Sequence, residues 1–322
     1  MGRLLADYNA SKNNRISIKK QNLGGGKMLR AIDLLKYLSD QIDPIIQNLT
    51  ANNDTLKLFS TEEPNGICCQ GVGNSTTPVN PIYIRNTNCW AKNIDTTPIS
   101  IWNNGGGLLP PENAGGSGGT GILITRRHIL LANHFRMVSG SKLIFVDMNN
   151  NTYVRELVSS IDPLNAVALF RDIQIGLLDS DLPNSISNIK ILDPVIGEKL
   201  RNELFNNNKR IPVFLMDQSR KAFVGELIGQ GHPSIAFAIS ENPTNPSKRR
   251  EFYPNPPNYY LVGGDSANTC SIVYNNKLVH VFHFRNRSSG PSAHTEIDEI
   301  NKAINLLGNP NNYTVEIESF NI

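Results

Sequence analysis

Thr120-Gly121-Ile122-Leu123-Ile124-Thr125, followed closely by His128-Ile129-Leu130-Leu131-Ala132-Asn133-His134-Phe135, is the stretch that decides the fold class. Each half holds an apolar run of strand length, bounded by polar residues, and is too short for a helix of ordinary size. The same texture continues downstream. Lys142 to Asp147, Thr152 to Leu157, Ile211 to Met216, Ala222 to Ile228 and Leu278 to Phe284 are further strand-length runs. The separators between them, such as Asn149-Asn150-Asn151 and Asn275-Asn276, are strong turn formers. Many short strands without alternating helices predict an all-β domain, a barrel or a sandwich. One exception is Thr295 to Leu307, whose Ile297, Ile300, Ile304 and Leu307 predict a helix near the C-terminus. No internal repeat is evident.

Upstream of Gly119 the composition changes. Met1 to Lys27 is polar and basic, with Lys12, Arg15, Lys19, Lys20 and Lys27, and its run Gly24-Gly25-Gly26 suits a flexible arm. From Met28 to Leu49, Ile32, Leu35, Ile42, Ile45 and Leu49 share one side of a helix that Pro44 kinks or divides. Such a stripe packs either on the β domain or on a second copy of itself, so self-association through 28–49 stays open. The predicted organisation is an arm and amphipathic helix over 1–60 and a Gly/Pro/Asn-rich linker over 61–118. The main domain follows over 119–310, with a tail over 311–322. Within the linker, Ile82-Tyr83-Ile84 predicts one wrapping strand.

Composition excludes several classes. Of 322 residues, 39% are hydrophobic and 18% charged, which fits neither disorder nor a membrane-embedded chain. A formal net charge of +3 is too small to argue for nucleic acid as a partner. No run approaches the roughly 20 apolar residues of a membrane span. The N-terminus lacks the apolar core of a secretory signal, and Ala6 stands where a myristoylation motif wants Ser or Thr. Cys68, Cys69, Cys89 and Cys270 form neither a disulfide framework nor a zinc spacing, which points to a reducing, cytoplasmic setting.

Three segments carry chemistry: the one ending in His134, Asp172-Ile173-Gln174-Ile175-Gly176-Leu177-Leu178, and Gly263-Gly264-Asp265-Ser266-Ala267. A neutral serine hydroxyl attacks a carbonyl poorly and needs a base to take its proton. Imidazole, with an ordinary pKa of about 6.5, is neutral yet basic near pH 7. A carboxylate then fixes its tautomer and stabilises the imidazolium. Two backbone N–H groups must face the developing oxyanion, and a glycine two residues before a serine permits that turn. Gly264 and Ser266 are the candidate donors. Taken singly, each residue has a plainer explanation: His134 a structural histidine, Ser266 a turn serine, and Asp179 or Asp181 rivals to Asp172.

Together the segments resemble the histidine, aspartate and Gly-Asp-Ser motifs of the trypsin/chymotrypsin-like serine proteases, in the same chain order. The resemblance covers roughly residues 80 to 310. It implies two packed antiparallel six-stranded β-barrels, the first ending near residue 190, with the site in the cleft between them. It further implies a serine endopeptidase with a triad of His134, Asp172 and Ser266 acting through an acyl-enzyme on a polypeptide, without cofactor or metal.

The chain departs from the digestive members of that family. Asn133 and Phe135 replace the usual neighbours of the histidine, Ala267-Asn268 replaces Gly-Gly, and no clean Arg-Ile-Val-Gly-Gly activation site is present. Direct folding into the working form is therefore expected, without a new N-terminus pairing with Asp265. Tyr260 stands where trypsin-like relatives place an aspartate for basic side chains. His283 sits where glutamate-specific relatives place a histidine, and Arg285 adds a cation that can pair with a carboxylate. The resemblance thus implies Tyr260, His283 and Arg285 as substrate contacts and Glu, Asp or Gln before the cut bond. The rival is a catalytically inactive relative that binds a peptide or protein, which Ala267-Asn268 and Arg285 would suit.

Overall fold

The continuous apolar runs become strands covered on both faces, which is why they read as runs rather than as alternation. A computed structural model describes residues 31–63, 82–102, 119–163, 172–232, 234–241, 247–254 and 261–320. The chain begins there with helices α1 (Ala31–Ser39), α2 (Asp43–Ile46) and α3 (Asn53–Leu56), then the antiparallel pair β1 (Phe59–Glu63) and β2 (Ile82–Arg85). A five-stranded antiparallel sheet follows, built from β3 (Ile122–Leu123), β4 (His128–Ala132), β5 (Lys142–Val146), β6 (Thr152–Ile161) and β7 (Ile173–Leu178). Its spatial order is β3-β4-β7-β6-β5.

The second half contains β8 (Lys190–Leu192), α4 (Pro194–Asn206), β9 (Ile211–Met216), β10 (Ala222–His232) and β11 (Ile235–Ile239). It continues through α5 (Ser247–Phe252), β12 (Thr269–Tyr274), β13 (Lys277–His283), α6 (Ile297–Leu306) and β14 (Ile317–Glu318). Its seven strands run in the order β11-β10-β9-β12-β13-β8-β14. The molecule is thus mostly β, with two curled half-barrel sheets and few helices.

The division is five and seven strands, not six and six, and it is not wholly antiparallel. β8 pairs in parallel with both β13 and β14. A two-residue strand supplied by Ile317–Glu318, inside the expected tail, leaves no periodicity for a sequence to show.

Strand alternation sorts side chains between cores. In β4, Ile129 and Leu131 join Leu143, Phe145 and Leu157 in one cluster, while Leu130 joins Ile122, Ile144 and Ile175 in another. In β9, Phe214 and Met216 face that second cluster, whereas Val213 and Leu215 face a third. The cluster holding Leu130, Phe214 and Val273 therefore spans both sheets.

Pro44 lies in the first turn of α2, where its missing N–H costs nothing, and it divides the expected helix. Leu38, Ile42 and Ile46 are buried, α1 against β9 and α4, and α2 against α5. The apolar stripe is thus spent within the chain rather than kept for a second copy. Arg249 clamps Asp43 with Nε on Oδ1 at 2.7 Å and Nη2 on Oδ2, tying α2 to α5.

Residues 82–102, expected within a linker, are core. Trp90 is buried between Phe214 and Phe252, and its Nε1 donates to the Ala222 carbonyl at 2.8 Å. Polar residues made this stretch look like a linker, but they are consumed internally. Arg85 donates to Thr96 Oγ1 and to the carbonyls of Val146 and Asp147, and Asn86 Nδ2 donates to the Asp54 carbonyl at 2.6 Å. Cys89 and Cys270 are buried thiols, and burial pushes Cys89 up to about 11. Cys68 and Cys69 lie outside the described residues, as does the basic arm over 1–27. Among the described residues no helix is long and apolar enough to cross a membrane.

Burial also sets the response to acid. Desolvation lowers His128 and His294 from 6.5 to about 4 and depresses His280 and His283 as well. The unfolded chain protonates these rings near pH 6.5 while the folded one resists, so their stabilisation is lost as pH falls from 6.5 toward 4. Asp217 opposes this. Burial raises it from 3.8 to about 6, so its contribution is present below 3.8 and fades as pH rises to 6. Four imidazoles outweigh Asp217 and the similarly raised Asp265. The urea midpoint is therefore expected to drop between pH 7 and pH 4.5, and a midpoint that stays level or rises would contradict this balance.

Candidate active site

Strand β4 ends at Ala132, and a single 3-10 turn over Asn133–Phe135 carries His134 out of the sheet. The neighbouring strand β7 starts at Ile173, and the register Ala132↔Ile173 sets Asp172 beside that turn. The backbone N–H of His134 donates to Asp172 Oδ1 at 2.6 Å, and Nδ1 of the ring meets Oδ2. The carboxylate is 6% exposed, so it faces the imidazole in a poorly hydrated place. On the other side of the ring, Nε2 lies 2.8 Å from Ser266 Oγ.

The rival carboxylates sit at the opposite end of β7. Asp179 Oδ1 accepts from the amides of Glu156 and Ser180, and Asp181 Oδ2 accepts from the Tyr313 hydroxyl at 2.5 Å. Asp172 alone among the three touches His134.

Ser266 rides a tight loop that leads into β12. Asp265 organises this loop: its Oδ2 accepts from the Val262 amide at 2.6 Å and its Oδ1 from the Gln218 amide at 2.9 Å. Burial raises the Asp265 carboxyl, and the two amides partly offset that. With both oxygens engaged by backbone amides, Asp265 is satisfied without an N-terminal ammonium. Gly264 has φ +108°, a region glycine enters freely. Among the described residues the N–H groups of Gly264 and Ser266 meet no acceptor, which leaves both donors for an external oxygen.

Ala267 has φ +69°, where an alanine costs about 1–2 kcal/mol. Its methyl is 1% exposed, and burying it returns roughly 0.8 kcal/mol. Much of the strain is thereby offset, which accounts physically for an alanine at a position where glycine is usual.

His283 takes a different place from the one its sequence position implied. It is 0% exposed, and its Nε2 donates to the Asp172 backbone carbonyl at 2.6 Å. Because a carbonyl only accepts, Nε2 carries the proton. His280 lies nearly parallel to it, 6.2 Å away and tilted by 8°, and shares a hydrogen bond with Thr269 Oγ1 at 2.9 Å. The His283 ring thus faces the main chain of the carboxylate residue rather than an open pocket. Arg285 is half-buried in the turn closed by its amide on the Ser289 carbonyl at 3.1 Å, and Tyr260 lies outside the described residues.

Sequence reasoning missed three contributors to the site: Gln218, His280 and Trp102. Trp102 donates from Nε1 to the Gly264 carbonyl at 2.9 Å. It lay in apparent linker with nothing local to mark it. Among the described residues no group of three or more His, Cys, Asp or Glu is arranged to hold a metal ion.

The geometry of the loop has a direct consequence for Gly264. A Cβ built there would meet Gln218 Oε1 at 2.8 Å in a backbone region that disfavours side chains. Gly264→Ala should lower the unfolding free energy by about 1–2 kcal/mol. Unchanged stability in urea titration would show that the loop does not hold Gly264 at this φ. No family model matches this sequence, and no curated protein does.

Proposed function

We propose that this chain is a serine endopeptidase of the trypsin/chymotrypsin-like kind, its two curled sheets corresponding to the two barrels of that fold. The observation that carries the reading is the line from the Asp172 carboxylate through the His134 ring to Ser266 Oγ, 2.8 Å from Nε2. Neutral His134, with its proton held on Nδ1 toward Asp172, presents a bare Nε2 to the serine.

In this mechanism Oγ attacks the scissile carbonyl carbon while its proton passes to Nε2. The oxyanion that forms is met by the N–H groups of Gly264 and Ser266. Collapse breaks the C–N bond, and the leaving amine takes the proton from His134. Water then repeats the sequence on the acyl-enzyme and releases the acid. Acidification slows the reaction because a protonated ring cannot accept the serine proton.

Support for an acidic or amide side chain before the cut bond comes from Arg285 and from Arg287. Arg287 lines, with Leu261, Tyr253 and Glu241, a cleft of about 230 Å³ just upstream of the Ser266 loop. His283 contributes by holding Asp172 rather than by touching the substrate.

A fluorophosphonate probe should label the native chain, and Ser266→Ala should abolish labelling. Asp172→Asn should slow it by roughly 10³–10⁴-fold, the effect of presenting the wrong tautomer. A folded wild-type chain that does not label favours the peptide-binding, inactive alternative. In a peptide library, cleavage should concentrate after Glu, Asp or Gln. Cleavage mainly after Lys, Arg or large aromatics would dismiss that preference.

A further inference from the structure

The loop carrying Ser266 is tied down mostly by its own half of the molecule. Val262, Gln218 and Asn268 all bond to Asp265. One bond comes from the other half: Trp102 Nε1 donates to the Gly264 carbonyl at 2.9 Å. Trp102 closes a segment laid along the first sheet. The Ser100 amide donates to the Gly121 carbonyl at 2.9 Å, the Ile101 amide to the Ile144 carbonyl at 2.7 Å, and the Gly121 amide to Ser100 Oγ at 2.8 Å. Ile99 and Ile101 are buried in the shared core. The indole is therefore held by a rigid support that does not depend on the loop it grips.

The bond falls at a sensitive place. The peptide unit joining Gly264 to Asp265 lies between the two candidate oxyanion amides, so its plane relates one donor to the other. Its N–H donates to the Val262 carbonyl at 3.1 Å and its C=O accepts from Trp102, so the unit is gripped at both ends. Gly264, with no Cβ and φ +108°, is a backbone position where rotation meets little steric resistance. Without the indole, only the loop's own bonds would oppose such rotation.

We propose that Trp102 is a positioning residue for the oxyanion donors, so that the reactivity of Ser266 depends on residues 99–102 being docked on the first sheet. This rests on the acyl-transfer reading above. Trp102 touches neither Ser266 nor His134 among the described contacts; it acts through the Gly264–Asp265 peptide.

The test uses the full-length chain and a fluorophosphonate probe. In that reaction Ser266 Oγ forms a bond to phosphorus, fluoride leaves, and His134 takes the proton. Its rate needs no knowledge of the natural substrate. Two variants remove the donor: Trp102→Phe, and replacement of Trp102 by 3-benzothienylalanine, which keeps the ring shape and puts sulfur in place of N–H. Each should label about tenfold more slowly, short of the 10²–10³-fold seen when a donor is deleted outright. The end point should stay at one label per chain, and the midpoint of the acid limb should match the wild type, since the His134–Asp172 pair is untouched. A Trp102→His variant, with a ring donor, should recover part of the rate.

Wild-type rates in the benzothienyl variant overturn the inference. So does a reduced end point at an unchanged rate, because that marks fewer folded molecules rather than a misplaced donor. Absence of labelling in the wild type overturns the acyl-transfer reading itself, and this inference with it.

Discussion

The hydrogen-bond register between β4 and β7 is the constraint on which the neighbourhood of the site depends. Ala132 opposite Ile173 puts Asp172 next to the turn that carries His134. A slip of one residue would turn every side chain of one strand to its other face, exchanging the clusters that Ile129 and Leu130 occupy. Register is therefore enforced by burial on both faces of β4, far more strongly than by the polar contacts it enables. The Asp172 carboxylate then receives the amide of His134 as well as its ring, so backbone and side chain fix it together. His283 holds the same residue from behind through its carbonyl, linking β13 of the second sheet to the start of β7 in the first.

This arrangement places the site on a packed seam. Ile144 from the first sheet and Phe214 and Val273 from the second share one cluster of buried side chains. Trp102 and His283 cross the seam in opposite directions, one toward the Ser266 loop and one toward Asp172. The polar groups that converge there are individually modest, each hydrogen bond contributing about 1 kcal/mol net. Their value lies in geometry, since the apolar packing beneath them has already fixed the positions of the strands.

Much of this was legible in the sequence, for identifiable reasons. Strands Ile211–Met216 and Ala222–His232 announce themselves because a strand buried on both faces is a continuous apolar run. The pairing of His134, Asp172 and Ser266 was legible because local context marks each residue and their order is informative. The helix Pro194–Asn206 was missed, although Asp193 caps it and Pro194 opens it. Its exposed Val195 and Phe205 blur the apolar stripe that would have revealed it. Residues 82–102 were misread because asparagines and threonines that bond inward look, in a sequence, like those that face water. His283 was assigned to the substrate for a related reason: position along β13 is visible in the sequence, but which way the ring points is not.

The chain has two tryptophans, and the structure gives them unlike surroundings. Trp90 is sealed between Phe214 and Phe252, while Trp102 is half-buried beside the Ser266 loop. Intrinsic fluorescence is thereby split into a blue-shifted signal from the interior and a solvent-sensitive one from the neighbourhood of the nucleophile. Quenching by a neutral solute such as acrylamide separates the two emitters by access. The molecule thus carries its own optical probe of events at the loop, with a built-in reference in the core.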